Sequence, residues 1–263
     1  MRVGGSDFSG AKSTTLYYAV GELEGDTLTV ERVATCDERM DLWHALIAQG
    51  GVWGLDFPFS LPAVAYRQLG ADNWRDALEI AVSSTRKGYA TLLDAVLGHD
   101  EGRCSTPSLF CRATDAITRA YSPLKAYNPS LSAMMYAAQK LLAYAVTTGA
   151  SVYPLWGAGA SASVRLHEVY PSLTWARVGM RRTPYLGDFV ARFNALGGVQ
   201  VVLPSGYGRA ETQDEADSVV ACVMMADAHY HHSMFLDDWA QQPPFATPEE
   251  WEVAHLEGVI VRT

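Results

Sequence analysis

The sequence predicts an α/β fold, with a mixed sheet that opens on three antiparallel strands, continues with parallel ones and is flanked by helices. Residues 2–7, 16–23 and 27–34 carry the short apolar or alternating patterns of strands, and Glu24-Gly25-Asp26 between the last two is a strong hairpin signal. A helical pattern then separates this group from a further apolar run, Val52 to Asp56, so the chain begins β-β-β-α-β. Short apolar runs alternating with helical patterns return after residue 151.

Each element has a local cause. Arg2 to Asp7 reads as a buried strand running into the turn Ser9-Gly10-Ala11-Lys12. Asp37 is placed to cap a helix with Met40, Trp43, His44 and Ile47 on one face, closed by Gly50-Gly51. Pro58 and Pro62 forbid continuation of the strand that ends at Asp56. Residues 63–148 lack a comparable strand signal. Helical patterns over 74–83, 90–97 and 132–146, punctuated by Gly98, Pro107, Pro123 and Pro129, mark this stretch as a helical insertion within a single domain spanning 1–263. Strands are expected over 152–156, 164–169 and 199–203, with a helix around 188–196. Thr212-Gln213-Asp214-Glu215 is a capping box that should start a helix running to about Ala228. The tail, with Pro243, Pro244 and Pro248, should end in a short helix and the apolar Val259-Ile260-Val261.

Composition sets limits on function. With 263 residues, 49% of them hydrophobic and 19% charged, the chain can bury a substantial core. A net charge of -9 argues against a protein that coats nucleic acid through bulk positive potential. The deficit is local. From Glu211 onward Arg262 is the sole lysine or arginine, whereas residues 160–209 hold Arg165, Arg177, Arg181, Arg182, Arg192 and Arg209 against Glu168 and Asp188. No apolar run is long enough to span a bilayer and MRVGGSDFSG lacks the order of a secretory signal, so a soluble cytoplasmic protein without a membrane partner is expected. Cys36, Cys104, Cys111 and Cys222 match neither a zinc ribbon nor a redox pair, and read as buried or incidental thiols.

The acidic residues carry the chemical signal. Asp7, Asp56 and Glu168 end apolar strands, where a buried charge is costly unless a metal or a donor compensates it. Asp214 and Asp217 are three residues apart on the capped helix, with Val219, Val220, Val223 and Met224 supplying its apolar side. Convergence of these carboxylates would suit Mg2+ or Mn2+, which take oxygen ligands and keep part of their water. Taken singly, Asp7 and Asp56 could instead form Asx turns, and Asp214 could complement the helix dipole.

The blocks GSDFSGAK (5–12), WGLDFPFSLP (53–62), HEVYPSLTW (167–175), DEADSVVA (214–221) and EGVIV (257–261) resemble the domain of unknown function 429 family, regarded as nucleases of the ribonuclease H-like superfamily. The likeness covers nearly the whole chain and is weakest in the middle. It implies a ribonuclease H-like mixed sheet, whose opening topology is the β-β-β-α-β order read above. It also implies Asp7 as the central metal-bridging carboxylate, Asp56 as a second ligand, Asp217 as the helix-borne ligand and Glu168 as a ligand or water-positioning group. Ser218 departs from the alanine more common there. In the mechanism this implies, two metal ions flank a scissile phosphate.

Ser9, Lys12 and the amides of the first turn are candidates to hold a phosphate. Gly10-Ala11-Lys12-Ser13-Thr14 is not a Walker A loop, because Lys12 is not preceded by glycine and no helix signal follows. Arg112, Arg119, Arg181 and Arg182 are candidates to contact a nucleic-acid backbone. His229, His231 and His232, near Asp237 and Asp238, lack the spacing of a helical metal pair and read as helix-end residues. The expected function is a metal-dependent nuclease or phosphodiesterase acting on nucleic acid or another phosphodiester. The alternatives are an actin-like or sugar-kinase-like phosphotransferase or ATPase, and a non-catalytic binding protein on the same fold.

Overall fold

Alternating apolar side chains and a glycine turn shape the opening of the chain. Gly25, at φ +59°, supplies the left-handed turn between two long strands. The computed structural model describes residues 1–8, 15–97, 103–106, 108–126, 131–158, 162–237, 239 and 241–262. Along the chain lie β1 (Arg2–Asp7), β2 (Leu16–Glu24), β3 (Thr27–Cys36), α1 (Arg39–Gln49), β4 (Gly51–Asp56), α2 (Ala63–Leu69), α3 (Trp74–Ser83), α4 (Arg86–Leu92) and α5 (Ala113–Thr118). They are followed by α6 (Leu131–Thr147), β5 (Ser151–Val152), β6 (Val164–Glu168), α7 (Pro171–Arg177), α8 (Leu186–Asn194), β7 (Gln200–Val202), α9 (Gln213–Asp237) and α10 (Pro248–Glu257). The seven strands form one mixed sheet in the order β5-β6-β4-β1-β2-β3-β7. β1, β2 and β3 are antiparallel neighbours, while β4 runs parallel to β1 and β6, β5 to β6, and β7 to β3.

Two apolar layers cover the sheet. On one face Val3, Ala19 and Val52 pack with α7, α8 and the buried run of α9 from Ala216 to Met225. On the other, Tyr18, Trp53 and Leu55 pack with α1, α3 and α6. α9 is apolar nearly all round, as expected of a helix enclosed by sheet and neighbouring helices.

Several expectations need correction. α1 is not capped by Asp37; Glu38 precedes it without a side-chain cap bond, and its buried face is Leu42, Trp43 and Leu46. His44 and Ile47 stay exposed, because Leu42 and Leu46 add more apolar area to the stripe around Trp43 than a polar imidazole can. α9 runs on to Asp237, with a break in helical geometry at His232, since packing against the sheet sustains it past residue 228. Thr212 Oγ1 accepts from the Glu215 amide at 3.1 Å, but the Glu215 carboxylate turns to the Glu211 amide at 2.6 Å, so the capping box is half formed. The sequence reading places no helix at Pro171, which opens α7 from within its first turn, where its missing N–H costs nothing. The 152–156 strand shrinks to β5, whose end folds back so that Val152 bridges Trp156.

Between β4 and β5 the chain forms α2 to α6, as the helical reading of 63–148 expects. Cys104 and Cys111 do not remain thiols: they form a disulfide with Cα atoms 6.0 Å apart, while Cys36 and Cys222 are buried and free. Among the described residues no helix is long and apolar enough to cross a membrane.

Candidate functional site

The two central parallel strands end in the same pattern: Gly5-Ser6-Asp7 on β1 and Gly54-Leu55-Asp56 on β4. Period-two alternation puts the glycine and aspartate of each strand on one face. The pairing then sets Gly5 beside Gly54 and Asp7 beside Asp56. α9 crosses this face. A Cβ on Gly5 would lie 2.0 Å from the Cys222 nitrogen, and one on Gly54 3.0 Å from the Ala221 oxygen. Only glycine permits so close an approach of helix to strand. About one turn earlier on α9, Asp217 is thereby brought to the strand ends beside the two aspartates.

Asp217 is fully buried and carefully held. Its Oδ1 accepts from Trp175 Nε1 at 2.6 Å and from Gln213 Nε2 at 3.1 Å, and its Oδ2 accepts from Arg182. At these strand ends lies a cavity of about 390 Å³, lined by Asp7, Asp56, Asp214, Glu168 and Arg182 among others. Its size falls in the range of small-molecule sites, roughly 300–1,000 Å³.

Electrostatics set this group apart. No donor among the described residues is bonded to the Asp7 or Asp56 carboxylate. Burial, reinforced by Asp56, Asp214 and Asp217, raises the Asp7 pKa well above the usual carboxylate range. Burial and Asp217 push Asp56 up to about 8 against the pull of Arg182. At neutral pH the pair therefore retains a proton, unless a cation replaces it.

Glu168 behaves differently from the role drawn for it. It pairs in register with Leu55 rather than Asp56, so its side chain leaves the sheet on the opposite face. There Arg112 holds it with two bonds, Nη1 to Oε2 at 2.8 Å and Nη2 to Oε1 at 2.6 Å, and the Phe59 amide adds a third at 2.9 Å. Arg112 in turn donates to Asp115 from Nε at 2.9 Å and Nη2 at 2.6 Å, and to the Glu257 carbonyl at 3.3 Å. Burial works against the arginine's charge, but Asp115 and Glu168 outweigh it and raise its pKa. With its five N–H groups engaged, Arg112 has no donor left for a substrate phosphate. The network also anchors the C-terminal segment, because the Val261 amide donates to the Glu168 carbonyl at 2.9 Å.

Of the other candidates, Asp214 lines the cavity, Arg182 reaches it from the loop after α7, and Arg181 is exposed beside Arg182. Ser9 and Lys12 lie outside the described residues. Arg119 ends α5 with its carbonyl accepting from Arg103 at 3.2 Å. The histidines disperse: His231 Nε2 lies 3.4 Å from Asp227, the His232 ring faces Phe245 at 5.4 Å, and Asp237 pairs with Arg165. Asp238 lies outside the described residues. Sequence reasoning passed over Trp175 and Gln213, which orient Asp217, and Arg103 and Tyr121, which wall the cavity from the middle segment. A tryptophan following Pro171 within the HEVYPSLTW block, and a glutamine one helical turn before Asp217, were the available signals.

No family model, curated protein or solved structure matches this chain. Among the described residues, no three His, Cys, Asp or Glu side chains gather so as to cage a metal by themselves. Magnesium does not need such a cage, since one or two carboxylates with water and a substrate phosphate complete its shell. Adjacent oxygens on Asp7 and Asp56, without a bonded donor among the described residues, fit that requirement, with Asp214 at the cavity wall.

Proposed function

We propose that this protein is a metal-dependent phosphodiesterase, a nuclease or close relative, built on one ribonuclease H-like domain with residues 63–148 as a helical insertion. One observation carries the reading: Asp7 and Asp56 stand side by side at the ends of parallel strands, open to a cavity and without a bonded donor among the described residues. A pair of half-buried like charges is costly unless a ligand compensates it, and oxygen-only donors select a hard divalent cation such as Mg2+ or Mn2+. The β-β-β-α-β order, the sheet arrangement around it and the resemblance to the domain of unknown function 429 family support the same reading.

In this reading Asp7 and Asp56 would hold the ion directly and Asp217 would add a further carboxylate, with Trp175 and Gln213 fixing its Oδ1. Bound divalent ions supply the positive charge that makes a water nucleophilic and steadies a leaving oxygen. Arg182 and Arg181 bind phosphate at the rim. Glu168 and Arg112 position the β6 end and the C-terminal segment without touching the substrate. A non-catalytic binding role draws its support from the ion pair that Arg182 already makes with Asp217.

The test is cleavage of labelled DNA, RNA and a small phosphodiester with Mn2+ or Mg2+, comparing wild type with Asp7→Asn. Metal-dependent cleavage by the wild type alone supports the reading. Equal activity in both proteins rejects it.

A further inference from the structure

Two arginines touch acidic residues at this end of the sheet, and they are held in opposite ways. The Arg112 side chain is 1% exposed and locked by bonds to Asp115, Glu168 and a backbone carbonyl. Arg182 is 46% exposed, sits in a loop, and has Asp217 Oδ2 as its bonded partner. The Asp217 carboxylate does not depend on it for orientation, because Trp175 and Gln213 hold the other oxygen. Oδ2 is thus a buried, preset oxygen capped by a cation that can withdraw into solvent. Around it Asp7, Asp56 and Asp214 add carboxylates that a single guanidinium cannot pair with all at once.

Resting on the metal-site reading above, we propose that Arg182 is an exchangeable counter-ion: an arriving divalent cation displaces it from Asp217, and the freed guanidinium then takes the substrate's phosphate. The exchange orders binding, with ion first and phosphate second. It also keeps the acidic site neutral enough to fold without metal. Coulomb repulsion between guanidinium and cation is the driving force, and the loop position of Arg182 gives it room to move.

Calorimetric titration of Mn2+ into wild type, Arg182→Gln and Arg182→Lys tests this. Removal of a competing cation should tighten Mn2+ binding about tenfold in Arg182→Gln. Arg182→Lys keeps the charge and should stay near wild type, which separates lost competition from altered folding. In the presence of saturating Mn2+, inorganic phosphate should bind about tenfold more weakly to Arg182→Gln than to wild type, through loss of a charge-assisted contact. Equal or weaker Mn2+ binding in Arg182→Gln, or unchanged phosphate binding, overturns the exchange while leaving the metal site standing. Absence of Mn2+ binding in every protein removes the metal site itself, and the exchange with it.

Discussion

Two acidic groups end neighbouring strands of one sheet, and they have opposite fates. On β6, Glu168 shares Arg112 with Asp115, and every strong donor of that arginine is engaged. On β1 and β4, Asp7 and Asp56 have each other, Asp214 and Asp217 nearby among the described residues, with Arg182 opposing them from a distance. Burial is common to both groups, so it does not distinguish structure from chemistry. Compensation does. A buried carboxylate with an arginine fork is a joint, whereas a carboxylate pair without a donor among the described residues is left uncompensated.

The sharpest way to break this contrast is on the paired side. Arg112→Met should strip the buried Asp115 and Glu168 carboxylates of the guanidinium that balances their charge and cost about 3–5 kcal/mol of stability in denaturant titration. A loss below about 1 kcal/mol would mean that the network is not the joint described here. Next comes the unpaired side. Asp7→Asn should lower phosphodiester cleavage by about 10²–10³-fold, the scale of one lost electrostatic contact to a transition state, with no loss of thermal stability. Were the mutant instead to unfold at lower temperature, Asp7 would belong with Glu168 as a structural residue.

Smaller effects sharpen the boundary between the two groups. The Cys104–Cys111 disulfide ties the loop between Arg103 and Arg112. Replacing both cysteines with serine should cost about 2 kcal/mol by chain entropy, read as a lower melting temperature that dithiothreitol no longer shifts. The smallest effect is a slope with pH. Burial and Asp217 raise the Asp56 pKa to about 8. A divalent ion must therefore displace a proton below that pH, and Mn2+ affinity should fall about tenfold per pH unit on acidification, then level above it. The sign for folding is the reverse. Native protein binds this proton more tightly than the unfolded chain, whose aspartate has a pKa of about 3.9, so metal-free stability should decline as pH rises toward 8. Asp56→Asn should flatten that decline in melting curves taken across the same window.

Much of this was legible in the sequence. The hairpin around Gly25, the strand ending at Asp56 and the helical 63–148 stretch follow from local periodicity and turn chemistry, and local causes persist in the folded chain. Asp7, Asp56 and Asp217 were visible as charges set at the ends of apolar elements. The repeated Gly-x-Asp of β1 and β4 was equally visible, but its meaning depends on a helix far along the chain. α5 escaped notice because it is short, and the α1 face was misread because the choice among apolar stripes depends on what packs against them.

By itself, then, the amino-acid order determined which segments become strands and helices and which carboxylates end them, since both are properties of neighbours in the chain. Only the tertiary structure decided which carboxylates are neutralised. Strand register sends Glu168 to one face and Asp56 to the other, and the arginine that meets Glu168 comes from a distant helical segment. Charge compensation acts through space, so no local pattern of residues could have announced it.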